Sequence, residues 1–219
     1  MTNQAARAPG LTVPSVKAAI AAVITKKSAL RLAAEESVRS RLKFDTVRWH
    51  GKPVQTLDEP SRILLAQAAA DKAGLRDVGL SYHDVYGVIE AETSWIPRAG
   101  ASKDGTPNIG LAQFEPATAK GLGLDDPEDP VQAVFAAALH IKQAAKWATG
   151  KIGPLNLDPE QHAAKLREGV SVYYNLSVKG RNKWDGLNTA ELPEETQRHI
   201  RNAAAGAMEA VQLARHMKA

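Results

Sequence analysis

Glu90 and Glu92 lie two positions apart in a stretch with helical periodicity, where a carboxyl can serve as general acid or base. Each helical residue turns the chain by about 100°, so the two side chains diverge by about 200° and cannot share a face. Counting by threes and fours, Val85, Val88 or Ile89, and Glu92 form one stripe; His83, Gly87, Glu90 and Ser94 form the opposite one. Glu92 is therefore expected on the apolar face and Glu90 on the polar face. An inward carboxyl in the last turn of a helix, beside a Gly-rich loop, is partly desolvated and sits at the negative end of the helix dipole. Both effects favour the protonated form and raise the pKa, as a general acid at neutral pH requires. The alternative use is structural, accepting hydrogen bonds from backbone amides of the following loop, and periodicity alone leaves both open.

Acid–base catalysis by a carboxyl often uses a second carboxylate nearby. Asp104 and Glu115 are the nearby candidates, and neither stands out. Trp95 and Phe114 have flat apolar faces that can pack on a ligand ring, although in a chain with 5% aromatics core packing competes for them. The six histidines, His50, His83, His140, His162, His199 and His216, include no pair at helical i, i+4 spacing, so a metal site is not expected. With no cysteine, disulfides, thiolate zinc sites and cysteine nucleophiles are excluded. No cofactor is expected.

The elements that hold these residues read as helices, with few alternating runs of strand type. A first helix is expected over 15–42, with a polar interruption at 25–28. Residues 45–57 read as a loop around Trp49, Gly51 and Pro53, with a soft domain boundary after it. A helix opens at Glu59-Pro60-Ser61 and ends at Gly74, and another runs from the cap residue Ser81 to about Ser94. Residues 97–108, rich in Gly, Ser, Asp and Pro, read as a loop. Helices follow at about 117–121, 130–148 and 159–174. The last begins at Pro193-Glu194-Glu195 and carries Ile200, Ala204, Met208 and Val211 on one face. The expected class is all-α or mainly α, with a basic helical extension over 1–57 and one domain over 58–219. A chain of 219 residues buries one sizeable core but not two.

From Glu92 the chain reads Glu92-Thr93-Ser94-Trp95-Ile96-Pro97, then Ala101-Ser102, then Gly110-Leu111-Ala112-Gln113-Phe114 with Pro116-Ala117-Thr118-Ala119. Tyr173-Tyr174-Asn175 and Leu192-Pro193-Glu194-Glu195-Thr196 come later. Five motifs in this order resemble the lytic transglycosylase domain of the goose-type lysozyme-like superfamily, over roughly 81–205. The resemblance implies a lysozyme-like α-helical domain that cleaves peptidoglycan between N-acetylmuramic acid and N-acetylglucosamine. It places Glu92 in the catalytic position, acting first as acid and then as base toward the muramic acid's own 6-hydroxyl to leave a 1,6-anhydro end. It also implies that Tyr174 lies near the carboxyl, and that Ser102, Gly110, Leu111, Gln113, Phe114, Tyr173 and Asn175 bind substrate. The chain departs from the family pattern in three places. Ser102 and Gly110 are eight apart rather than six, Ala112 replaces a Met, and Leu176-Ser177 replaces Ala-Gly.

An internal nucleophile removes the need for a second carboxylate, in keeping with the absence of an obvious one. A hydrolytic muramidase acting on the same bond, or an inactive peptidoglycan-binding module, are the competing expectations. Net charge is +4, but residues 1–57 carry ten Lys or Arg against three Asp or Glu, an excess of +7 that leaves −3 for the remainder. The expected partners are peptidoglycan glycan strands and, through the basic segment, an anionic envelope surface. No nucleic-acid partner is expected. No apolar run approaches the ~20 residues that span a bilayer, and no cleaved signal peptide is expected. Synthesis in the cytoplasm and later release or delivery to the wall, as by a phage or prophage lysis protein, a virion enzyme or a secretion apparatus, is the matching setting.

Overall fold

The computed structural model describes Val23 and residues 32–102 and 104–217. The chain divides into two compact units, Met1–Ser37 and Val38–Ala219. In the first, the expected helix falls mostly outside the described residues; residues 32–37 are helical. The elements of the second unit are mainly α-helical, as expected.

The stretch expected as a loop over 45–57 is instead a β-hairpin. Strands β1 (Phe44–Trp49) and β2 (Lys52–Leu57) pair antiparallel, with Trp49 opposite Lys52. The two connecting residues, His50 and Gly51, both have positive φ (47° and 78°), the geometry of a tight two-residue hairpin turn. The β-branched and aromatic residues Thr46, Val47, Trp49, Val54 and Thr56 suit strands, but the Gly and Pro between them resemble loop punctuation. The hairpin is tied to the helical body, because the Thr56 hydroxyl donates to the Trp95 carbonyl and the Lys43 amide donates to Ser61 Oγ (2.8 Å).

Helix α1 (Glu59–Ala73) has Asp58 as its N-cap and Gly74 in the left-handed region at its end, and a short 3-10 turn, Leu75–Val78, follows. Helix α2 (Tyr82–Thr93) opens with a capping box, in which Ser81 accepts from the first turn while Asp84 Oδ2 accepts from the Ser81 amide (2.8 Å). Arg98–Ala101 (β3) and Pro107–Gly110 (β4) then form a second hairpin where a loop was expected. Its Gly, Ser and Asp residues lie largely in the turn, which Asp104 closes by accepting from the Thr106 amide (3.0 Å). Helices α3 (Pro116–Leu122), α4 (Pro130–Ile152), α5 (Pro159–Asn175), the short α6 (Val178–Arg181) and α7 (Glu194–His216) complete the unit. No glycine is needed where the family pattern has Ala-Gly: Leu176 is extended (φ −106°) and Ser177 caps α6 by accepting from the Gly180 amide (3.3 Å).

Helix α2 is central, packing against α1, α4 and most extensively α7. The α2–α7 crossing is very close. A Cβ on Gly87 would stand 2.2 Å from the Ala203 carbonyl oxygen, and one on Gly206 would stand 2.7 Å from Glu90 Cβ. This corrects two expectations. The buried residues of α7 are Thr196, His199, Gly206, Ala210 and Ala214, whereas Met208 is 64% exposed. The stripe of larger apolar residues does not mark the packed face, because close approach selects small side chains. In addition, the side of α2 that carries Gly87 and Glu90 is covered by α7, so Glu90 does not project from a solvated face. Ile200 and Ala204 line a cleft of about 430 Å³ between α2, α5 and α7, together with Val88 and Val170.

Candidate active site

Glu92 lies in the last turn of α2. Immediately after the helix, Ser94 and Trp95 both take left-handed backbone angles (φ 51° and 59°) without being glycine. That conformation costs ~1 kcal/mol or more per residue and persists only where the surroundings enforce it. Here the Trp95 ring is fully buried, 5.1 Å from the Tyr86 ring, so its role is core packing. The Arg98 guanidinium donates to the Glu92 backbone carbonyl, placing a cation at the helix C-terminus where the dipole favours it. Thr93 Oγ1 donates to the Leu111 carbonyl (2.9 Å), joining the end of α2 to the turn after β4.

The Glu92 side chain is 15% exposed, and its Oε1 lies 2.9 Å from Nε2 of His199, which is 5% exposed. His199 enters from the first turns of α7. Tyr174, near the end of α5, stacks on the His199 ring (centroids 6.2 Å apart, planes at 21°), and its hydroxyl donates to the Ala112 carbonyl (3.1 Å). Burial, reinforced by the charge of Glu92, holds the Tyr174 hydroxyl well above the usual phenol pKa. At neutral pH it is a protonated hydrogen-bond donor, not a base. Metal-ligand spacing among the six histidines does not single out His199. The signal present was its position three residues after Thr196, on the stripe that continues through Ala203 and Gly206.

Gln113, also at positive φ (50°), donates its amide to the carbonyls of Arg98 (2.8 Å) and Gly110 (2.9 Å), closing the base of the second hairpin. Ser102 Oγ donates to Glu115 Oε1 (2.6 Å). Gly110 has φ 77°, and a Cβ there would stand 1.9 Å from the Pro127 carbonyl oxygen, so protein backbone already demands this glycine. The Leu111 and Phe114 side chains are buried, at 2% and 4% exposure, and the Phe114 ring lies 5.7 Å from Tyr174 and 5.6 Å from His140. Phe114 thus backs Tyr174 from inside, as core packing would have it. Tyr173 faces Trp147 and His140, with the Arg181 guanidinium 3.7 Å above its ring. Asn175 Oδ1 accepts from Thr196 Oγ1 (2.7 Å), binding the end of α5 to the start of α7 beside His199. Asp104, fully exposed at its hairpin tip, is held below the usual carboxylate range by hydrogen bonds from Thr106.

Glu90, 200° away around α2, has its pKa raised, first by burial under α7 and second by the charge of Glu209. Among the described residues no group of three or more His, Asp or Glu is arranged to hold a metal ion, and no helix is long and apolar enough to cross a membrane.

The mainly helical fold, with Glu92 hydrogen-bonded to an imidazole on which the Tyr174 ring stacks, agrees with the mainly α class that the motif resemblance to lytic transglycosylase domains implies. The chain is 31% identical over 138 residues to peptidoglycan transglycosylase gp16 of Escherichia phage T7, which supports that resemblance. The match covers 63% of this chain, which spans about a tenth of the relative's length. No family model and no solved structure matches the chain.

Proposed function

We propose that this domain cleaves the β-1,4 bond between N-acetylmuramic acid and N-acetylglucosamine in peptidoglycan, with Glu92 as the single acid–base group. The observation that supports it best is the carboxyl itself, on the inward face of α2, held by a buried partner on one oxygen and 15% exposed. Protonated Glu92 gives its proton to the glycosidic oxygen as the C1–O4 bond breaks, releasing the N-acetylglucosamine 4-hydroxyl. The resulting carboxylate then takes the proton of the muramic acid 6-hydroxyl as O6 bonds to C1, which closes the 1,6-anhydro ring and restores the acid. Tyr174 remains a neutral donor beside the carboxyl throughout. Ser102, Gln113 and Asn175 act by holding the hairpin and helix ends that border the site. Asp104 is engaged in its own turn, in keeping with a reaction that uses no second carboxylate.

The relative is a phage protein, and the same setting is proposed here: a phage or prophage enzyme delivered to the wall, its basic N-terminal residues drawn to the anionic envelope. The test is digestion of purified sacculi by the wild type and by Glu92→Gln, with mass spectrometry of the released muropeptides. Clearing by the wild type alone, with anhydro-muramic ends, is the expected result. Reducing ends would replace transglycosylation by hydrolysis on the same bond. Equal digestion by both proteins would remove Glu92 from the mechanism, and binding without cleavage by the wild type would leave a wall-binding module.

A further inference from the structure

We propose that His199 is a positioning residue, whose Nε2–H donates to Glu92 Oε1 and thereby confines the reactive proton of Glu92 to Oε2, the oxygen free to face the glycosidic bond. This rests on the function proposed above and adds to it a residue outside the five motifs.

Three observations carry the assignment. The Nε2–Oε1 distance of 2.9 Å is that of a good hydrogen bond, between groups 5% and 15% exposed. His199 Nδ1 is buried and, among the described residues, has no hydrogen-bonding partner. A proton on Nδ1 would bury an N–H with no acceptor and turn the Nε2 lone pair toward a carboxylate oxygen. A proton on Nε2 makes one charge-assisted bond instead, so the geometry selects the Nε2–H tautomer. Finally, the Tyr174 ring stacked on the imidazole, and the Asn175–Thr196 hydrogen bond one turn before it on α7, restrict the ring's freedom to swing away.

A carboxylic acid has two equivalent sites for its proton, and a general acid is productive only when the proton is on the oxygen directed at the leaving group. A donor fixed on Oε1 removes the unproductive arrangement. After the proton has left, the same donor steadies the carboxylate, which then accepts the 6-hydroxyl proton on Oε2. His199 neither gains nor loses a proton in the cycle, so the atom balance of the reaction is unchanged.

The test compares His199→Gln, whose amide places a donor near the position of Nε2, with His199→Leu, which fills similar space without one. Kinetics on a soluble glycan-chain substrate are read beside thermal melting of each variant. His199→Leu should lower kcat by about 10- to 100-fold with KM within about threefold, the size of effect expected for a misplaced catalytic group. His199→Gln should recover most of that loss at the same melting temperature. A second readout needs no activity: nitrogen-15 shifts of the His199 ring in the full chain should show protonated Nε2 and bare Nδ1. Ring protonation on Nδ1, or wild-type kcat in His199→Leu while Glu92→Gln is dead, would overturn the positioning role and leave the proposed function standing. Full activity of Glu92→Gln would overturn the function, and the positioning role with it.

Discussion

At the residue scale, the two glutamates of α2 separate by environment, and the separation can be measured. Glu90 has a raised pKa in the folded protein, so the native state binds its proton more tightly than the unfolded chain does. Stability therefore falls as pH rises from the ordinary glutamate range through that raised value. Glu90→Gln should accordingly raise the melting temperature at pH 7, give no gain below about pH 4, and leave the proposed wall cleavage intact. His140 works in the opposite direction. Burial lowers its pKa from 6.5 to about 4, so between those values the unfolded chain holds more protons and stability is lost as pH falls through that window. His140→Gln should flatten this acid loss, an effect on the order of 3 kcal/mol between pH 6.5 and 4, read as the pH dependence of denaturant unfolding.

At the element scale, the close crossing of α2 and α7 is a vulnerable contact. Gly87→Ala places a methyl group against the Ala203 carbonyl, where only backbone can yield, and overpacking of this kind costs about 1 to 3 kcal/mol. The variant should melt lower and lose the proposed wall-cleaving activity beyond what its folded fraction explains, because Glu92 and His199 stand on the two helices forced apart. The element pattern was legible where caps and periodicity agreed. Ser81 with Asp84, and Pro130 or Pro159 after an aspartate cap, begin helices where expected. The two hairpins were not legible, since strands of four to six residues crossed by Gly and Pro carry too little alternation to separate from loops. For the candidate site, the helix-face count and the motif resemblance single out Glu92, and the resemblance alone singles out Tyr174. His199 stayed hidden because it lies 107 positions away from Glu92, on a helix whose packed face is built from small residues rather than large apolar ones.

At the scale of the whole molecule, the positive excess divides between the two units. Of the +7 carried by residues 1–57, Arg39, Arg41, Lys43, Arg48 and Lys52 against Asp45 contribute +4 within the second unit, which brings that unit close to neutral. The first hairpin belongs to that unit and is fastened to it through Lys43–Ser61 and Thr56–Trp95, with Leu57 buried. A chain beginning at residue 58 should therefore melt well below one beginning at residue 38, as followed by circular dichroism. Comparing the 38–219 protein with the full chain on intact cells at low and high salt would isolate what the first unit adds, since charge attraction to an envelope weakens as salt rises.

The Gly87–Gly206 crossing also acts as a lever. Helices rise about 1.5 Å per residue, which places Glu92 about 8 Å and His199 about 11 Å from the fulcrum, on the same side of it. A tilt of about 10° between the axes would sweep the tips by about 1.5 to 2 Å, enough to break a 2.9 Å hydrogen bond. The separation of Glu92 and His199 is thus gauged by two missing side chains, and a bulkier residue at either position would detune the proposed acid from a distance.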